Sequence, residues 1–259
     1  MERQSITSYI QDSDVRIKIE RILERVETAG NRHIVTDSDF LDPYERETVI
    51  AAMKWFPDTS CFEDGAPENG ERKVLVFFPS YKDYVDIESR ACYLRIDGDL
   101  SNLSHKDFLG SIMSLGIKRE KLGDIYVYDD HVKLAAKSEI SEYILLNLEK
   151  VGRRKVKVQT ANFSEFVVPN QQYIEKTLFI SSERLDVYLC AAYGLSRNEC
   201  NEKIASDDVK VNWKSIKKSG FELRPGDIVS LKGYGRSEYT EKLNFSKKGR
   251  LRIKIKIFK

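Results

Sequence analysis

Residues 182–214 read S-E-R-L-D-V-Y-L-C-A-A-Y-G-L-S-R-N-E-C-N-E-K-I-A-S-D-D-V-K-V-N-W-K, a pattern that fits helix, tight turn, helix and basic strand. Ser182 is placed to cap a first helix whose apolar face is Leu185, Leu189 and Ala192. Gly194 ends that helix, and Ser196 opens a second with Glu199 three residues on, a capping box. Each helix then carries an arginine, Arg184 or Arg197, in its first turn. Acids suit a helix start better than cations do, so an arginine placed there twice points to another purpose. A phosphate ligand is one, because helix amino termini also offer free N–H groups to anions. Val209–Lys214 reads as a strand with valines on one face and Lys210, Asn212 and Lys214 on the other.

Charge supports the same reading. The chain carries only +2 overall, but residues 178–259 hold 18 Lys+Arg against 10 Asp+Glu, a balance of +8, while the remainder carries −6. Basic charge gathered in the carboxyl third is what a phosphate-facing region needs.

The spaced elements R-L-D…L…S-R-x-x-C-x-x-x-I…V-K-V-N, followed by L-R-P-G-D-I-V-S-L-K-G-Y-G-R over 223–236, resemble the S-four RNA-binding domain, first defined in small-subunit ribosomal protein four. The resemblance covers roughly residues 180–240. It implies two antiparallel helices on a small sheet that binds structured RNA, with Arg184, Ser196, Arg197, Lys203, Lys210, Asn212 and Lys214 facing it. Where the family often has Leu, Gly and Ala, this chain has Lys203, Asp207 and Cys200. Asp207 and Asp208 add two negative charges near the proposed RNA face.

Upstream, Val15, Ile19, Ile22, Leu23 and Val26 recur at helical spacing, and Pro43 opens a helix that Pro57 stops. Residues 57–72, rich in Gly, Pro, Asp, Glu and Asn, read as a loop and a boundary. Beyond it come strand 73–78, strand 91–96, a helix capped by Ser104 and Asp107, a hairpin around Asp129-Asp130, a helix from Ser138 and a basic strand 151–160. Such an order predicts an α+β, split-βαβ sheet like that of an RNA-recognition motif. Segment 161–177, irregular and containing Pro169, reads as a linker. Strands 239–245 and 251–258 flank the turn Ser246-Lys247-Lys248-Gly249. The expected organisation is therefore a mainly helical region 1–72, the α+β domain 73–160, the linker, and the RNA-binding domain 178–259.

H-K-D-F-L-G-S-I-M-S-L-G-I-K-R-E-K-L-G-D-I, residues 105–125, is similar to the signature of the YlmH family of bacterial S-four proteins, whose layout the chain follows over nearly its full length. That resemblance adds Lys118 and Arg119 as RNA or ribosome contacts. It implies a non-catalytic protein that recognises structured RNA, ribosomal RNA or tRNA, on the large ribosomal subunit, in translation or the handling of stalled subunits, with a looser link to cell division. The acidic amino-terminal two thirds suits a protein partner.

Competing readings stay open. Asp186 lies in an R-L-D tripeptide similar to that carrying the catalytic aspartate of pseudouridine synthases, which would make the chain an RNA-modifying enzyme; an apolar helix follows it here, which favours a structural carboxylate. A cell-division scaffold that binds only proteins is the other. Tyr126 and Tyr128 share a strand face, where packing is favoured over base stacking. Neither a cofactor nor a metal is expected: nucleotide-loop and HExxH motifs are absent, and four cysteines without CxxC spacing suit reduced thiols. No apolar run approaches a membrane span and M-E-R-Q-S-I-T-S-Y lacks a signal core, so a cytoplasmic setting is expected.

Overall fold

The computed structural model describes residues 3–83, 85, 87–169, 172–246 and 249–258. The chain divides into two compact units, Met1–Pro169 and Asn170–Lys259.

The first unit opens with α1 (Arg3–Thr7) and α2 (Ser13–Arg32). The Asp12 side chain caps α2 at the Asp14 and Val15 amides, and Ile19, Ile22, Leu23 and Val26 are buried along one face, the stripe the spacing predicts. After β1 (Thr36–Asp37), α3 (Pro43–Ala52) begins with a capping box between Asp42 and Glu45. Two strands follow, β2 (Thr59–Asp64) and β3 (Val74–Pro79), and the three form a sheet ordered β1-β3-β2. Here the structure departs from expectation. Thr59–Asp64 is a strand inside the segment expected to be loop, and β3 pairs with it rather than joining the sheet of the middle region. Val74–Phe77 are fully buried because β3 is central and covered on both faces.

The rest of this unit is β4 (Ala91–Gly98), α4 (His105–Met113), β5 (Leu122–Val127), β6 (His131–Lys137), α5 (Ser138–Asn147), β7 (Lys150–Val151) and β8 (Arg154–Thr160). Its sheet is ordered β5-β6-β4-β8-β7 with antiparallel neighbours, the split-βαβ topology. One face buries Leu94, Ile96 and Leu134 against Phe108 and Ile112 of α4 and Ile144 of α5. The other, where a recognition-motif sheet stacks bases, is covered: Tyr93, Tyr126 and Ala135 pack with Phe40, Val74, Val76 and Phe166. The Tyr126 hydroxyl donates to Asp124 Oδ2 at 3.0 Å, and Tyr128 donates to the Val167 carbonyl, so both tyrosines serve packing.

The second unit holds β9 (Tyr173–Ile180), α6 (Leu185–Tyr193), α7 (Arg197–Ala205), β10 (Val209–Val211), β11 (Lys214–Ser215), β12 (Ile228–Leu231), β13 (Gly235–Phe245) and β14 (Leu251–Phe258). Its sheet is ordered β11-β10-β12-β13-β14-β9. Tyr173–Thr177, expected to be linker, is strand: β9 pairs with β14 in unbroken register from Tyr173↔Phe258 to Ile180↔Leu251. Val209, Val211, Val229, Leu231, Tyr239, Ile253 and Ile255 face Leu185, Leu189, Ala192 and Ile204 of the helices in one core. Lys247 and Lys248 lie outside the described residues. Among the described residues no helix is long and apolar enough to cross a membrane, and no group of three His, Cys, Asp or Glu is placed to hold a metal.

Candidate nucleic-acid interface

Arg184 occupies the cap position of α6, with extended backbone (φ −68°, ψ 144°), so Ser182 is not the cap. Two hydrogen bonds fix this start: the Leu185 amide donates to the Phe221 carbonyl at 2.8 Å and the Asp186 amide to the Ser219 carbonyl at 3.2 Å. Leu185 and Asp186 are thereby buried, and the Asp186 side chain is only 2% exposed.

An isolated buried carboxylate is costly unless paired, and Asp186 is paired twice. Arg184 Nε donates to Oδ1 at 3.0 Å and Nη2 to Oδ2 at 2.9 Å, a bidentate contact. Arg197, at the first position of α7, brings Nη2 to 3.7 Å from the same Oδ2. Burial pushes the Asp186 carboxyl up, but the hydrogen bonds and charge of Arg184, the Val187 amide and the charge of Arg197 outweigh it, and the net direction is down. One buried anion thus holds two guanidinium groups whose side chains are 42% and 71% exposed. The cluster keeps one net positive charge. Arg184 spends two of its five N–H donors on Asp186 and has three for an acceptor arriving from solvent.

α7 is capped as its sequence predicts: the Glu199 amide donates to Ser196 Oγ at 3.3 Å and the Ser196 amide to Glu199 Oε2 at 2.8 Å. The Ser196 hydroxyl is therefore a helix cap. Between the two helices Asp186 meets Arg197 and Cys190 meets Cys200.

The basic strand is also revised. Asn212 and Trp213 have φ of 48° and 64° and form a two-residue hairpin turn between β10 and β11. The turn breaks the expected alternation. Lys210 is opposite Ser215 and Lys214 opposite Val211, so the two lysines fall on opposite faces of the sheet. Lys210 lies on the face away from the helices, in register with Ser230 and, across it, Arg236. Asn212 is committed to the fold: Nδ2 donates to Asp227 Oδ1 at 2.8 Å, and Oδ1 accepts from the Ile228 amide at 2.9 Å. Lys203 Nζ donates to Asp208 Oδ2 at 3.1 Å, and Lys232 sits 3.4 Å from Asp208 Oδ1, so that acid and these cations screen one another.

In the first unit Lys118 is exposed and Arg119 is half-buried. Its Nη1 donates to the Leu122 carbonyl at 2.6 Å and the Gly123 carbonyl at 3.2 Å. Burial, with the nearby Arg72 charge, pulls its pKa down to about 10. Of the nine candidates, Asp186 gathers Arg184 and Arg197; Lys203, Lys210, Asn212 and Lys214 are not part of that cluster. The loop 217–220, held against the start of α6 through Ser219, adds the exposed Lys217 and Lys218, which the motif reading missed.

Comparison with known proteins agrees with this geometry. The family described as "Putative RNA-binding domain in YlmH" matches residues 83–165, and the S4 domain matches residues 183–229, which include the arginine pair. The chain is 27% identical to "Ribosome-associated protein quality control protein P2" of Bacillus subtilis (strain 168) over 242 residues, covering 93% of this chain and 94% of that one. The solved structure of "Cell division protein ylmH from Streptococcus pneumoniae" superposes with a TM-score of 0.53 at 18% identity, covering 60% of this chain and 96% of that one, a likeness of fold. Together fold and matches define a class, an α+β protein with a YlmH-type RNA-binding domain followed by a carboxyl-terminal S4 domain. The chain thus carries a YlmH-type RNA-binding domain and an S4 domain, and is similar over nearly its whole length to the Bacillus subtilis relative.

Proposed function

We propose that the chain is a non-catalytic RNA-binding protein of the cytoplasm that docks on structured RNA of the large ribosomal subunit, ribosomal RNA or tRNA, and serves the rescue of stalled ribosomes. The observation that carries this reading is the pair of solvent-facing arginines held by buried Asp186 inside an S4 domain. Two preset forks suit adjacent phosphates of a folded backbone, and recognition would rest on shape and phosphate with few base contacts. The Bacillus subtilis relative is named for ribosome-associated quality control, which supports the choice of RNA. Asp186 speaks for a non-catalytic role, because its carboxylate is buried and engaged by arginine rather than open to a substrate. The acidic first unit is suited to a protein contact.

The test is co-sedimentation of the full chain with ribosomal subunits, followed by crosslinking and sequencing of bound RNA. The reading expects the large subunit to carry the chain, and the double substitution Arg184→Ala/Arg197→Ala to release it. A folded double variant that still sediments with the subunit would overturn the assignment of the site.

A further inference from the structure

Cys190 on α6 and Cys200 on α7 are both free thiols, and their sulfurs lie 2.9 Å apart. A thiol pair at this distance needs a shift of roughly 0.9 Å to reach a bonded separation of about 2.05 Å. Position gives the pair its interest. Cys190 is four residues after Asp186 and Cys200 three after Arg197, so each sulfur sits one helical turn from its helix's contribution to the arginine cluster. We propose that Cys190 and Cys200 form an oxidation site, a thiol pair that closes reversibly to a disulfide and ties the two S4 helices together beside the arginines.

The two sulfurs differ in a way that assigns their roles. Cys190 is half-buried and Cys200 fully buried. Burial, the contact with Cys190 and the charges of Asp186 and Glu199 push the Cys200 thiol up to about 12. Cys190, the more exposed sulfur, is the one an oxidant from solvent reaches first, and buried Cys200 is the resolving thiol. With a low-molecular-weight disulfide such as oxidised glutathione as the oxidant, Cys190 gives its proton to solvent and its sulfur attacks one sulfur of the oxidant. The oxidant's S–S bond breaks, and one glutathione leaves as thiolate. Cys200 then gives its proton to solvent, its sulfur attacks the Cys190 sulfur, and the second glutathione leaves. Two protein thiols are oxidised to one disulfide and one oxidised glutathione is reduced to two thiols. In a reducing compartment the pair rests as thiols, so it is a sensor and not a permanent staple.

The experiment treats the reduced full chain with oxidised glutathione, unfolds it under alkylating conditions and maps the peptides by mass spectrometry. The expected result is loss of two hydrogens, a Cys190–Cys200 linked peptide, alkylated Cys61 and Cys92, and full reversal by reductant. Cys200→Ala is expected to accumulate a glutathione adduct at Cys190, having no resolving thiol. The oxidised chain should melt above the reduced one. Alkylation of both Cys190 and Cys200 in the treated wild type, a persistent adduct there, or an oxidised form that melts below the reduced one would each overturn the proposal.

Discussion

Asp186→Asn isolates the part of the interface that is organisation from the part that is contact. Asparagine keeps the size of the side chain and an oxygen for the Val187 amide, which now bonds Oδ1 at 3.0 Å. It removes the charge that Arg184 grips at 3.0 and 2.9 Å and that Arg197 approaches at 3.7 Å. Hydrogen bonds to charged groups contribute ~1.5–3 kcal/mol each when sheltered. Here Arg184 is 42% exposed and water replaces part of what is lost, so a stability loss of ~1–2 kcal/mol is expected. In a unit the size of Asn170–Lys259 each kcal/mol is worth about 4–8 °C in melting temperature. RNA binding should also weaken, since two arginines must now be ordered on binding at ~0.5–1.5 kcal/mol each. The extra net positive charge acts the other way, so the affinity loss should be about two- to tenfold at physiological salt. Because no phosphate contact is removed, the slope of log affinity against log salt should not become shallower. Melting curves and filter binding at several salt concentrations read all three quantities. An Asp186→Asn protein that melts and binds like wild type would refute the claim that this carboxylate organises the pair, and complete loss of an RNA-modifying activity would restore the enzyme reading.

Four further outcomes are expected. Leu185→Asp or Ile204→Asp buries an unpaired charge in the helix–sheet core, costing ~3–5 kcal/mol, and an unchanged circular-dichroism melt would contradict the packing described. Asn212→Ala forces a Cβ residue without the side-chain bonds into φ 48° and should lose ~1–2 kcal/mol of stability in chemical denaturation while RNA affinity stays constant. Arg119→Ala should likewise lower the melting temperature without altering the salt slope, because that guanidinium serves the Leu122 and Gly123 carbonyls. For acid stability, Asp186 and Glu183 both have carboxyls held below their ordinary values. Burial raises each; Arg184 outweighs it at Asp186, and Lys242 with Tyr239 at Glu183. Their stabilisation is complete above the usual carboxylate range of about 3.9–4.3 and is lost as pH falls through the folded values, so an acid melt series should show Asp186→Asn losing part of that dependence.

Much of the second unit was legible because its signals are local. Gly194 at φ 72° and the Ser196–Glu199 box lie where their residue types place them. What could not be read depended on distant partners or on a single turn. Tyr173–Thr177 looks like linker until its partner strand, Leu251–Phe258, supplies the ladder, and Thr59–Asp64 is masked by the turn formers around it. V-K-V-N-W-K alternates whether the strand continues or turns, and nothing marks Trp213 for φ 64°. The R-L-D tripeptide placed Arg184 beside Asp186, but only the packing of α7 against α6 brings Arg197 to the same oxygen. Arg119 misled because a basic run reads as solvated, and only the fold turns its guanidinium onto carbonyls.

The central claim is that Arg184 and Arg197 meet the same stretch of RNA backbone. It is tested most directly by titrating ribosomal RNA at several salt concentrations with wild type, Arg184→Ala, Arg197→Ala and the double variant, each checked for an intact melt. Each single change should weaken binding by ~1–3 kcal/mol and flatten the salt slope by ~0.7–0.9 per lost phosphate contact. A folded double variant with wild-type affinity and wild-type slope would contradict the account.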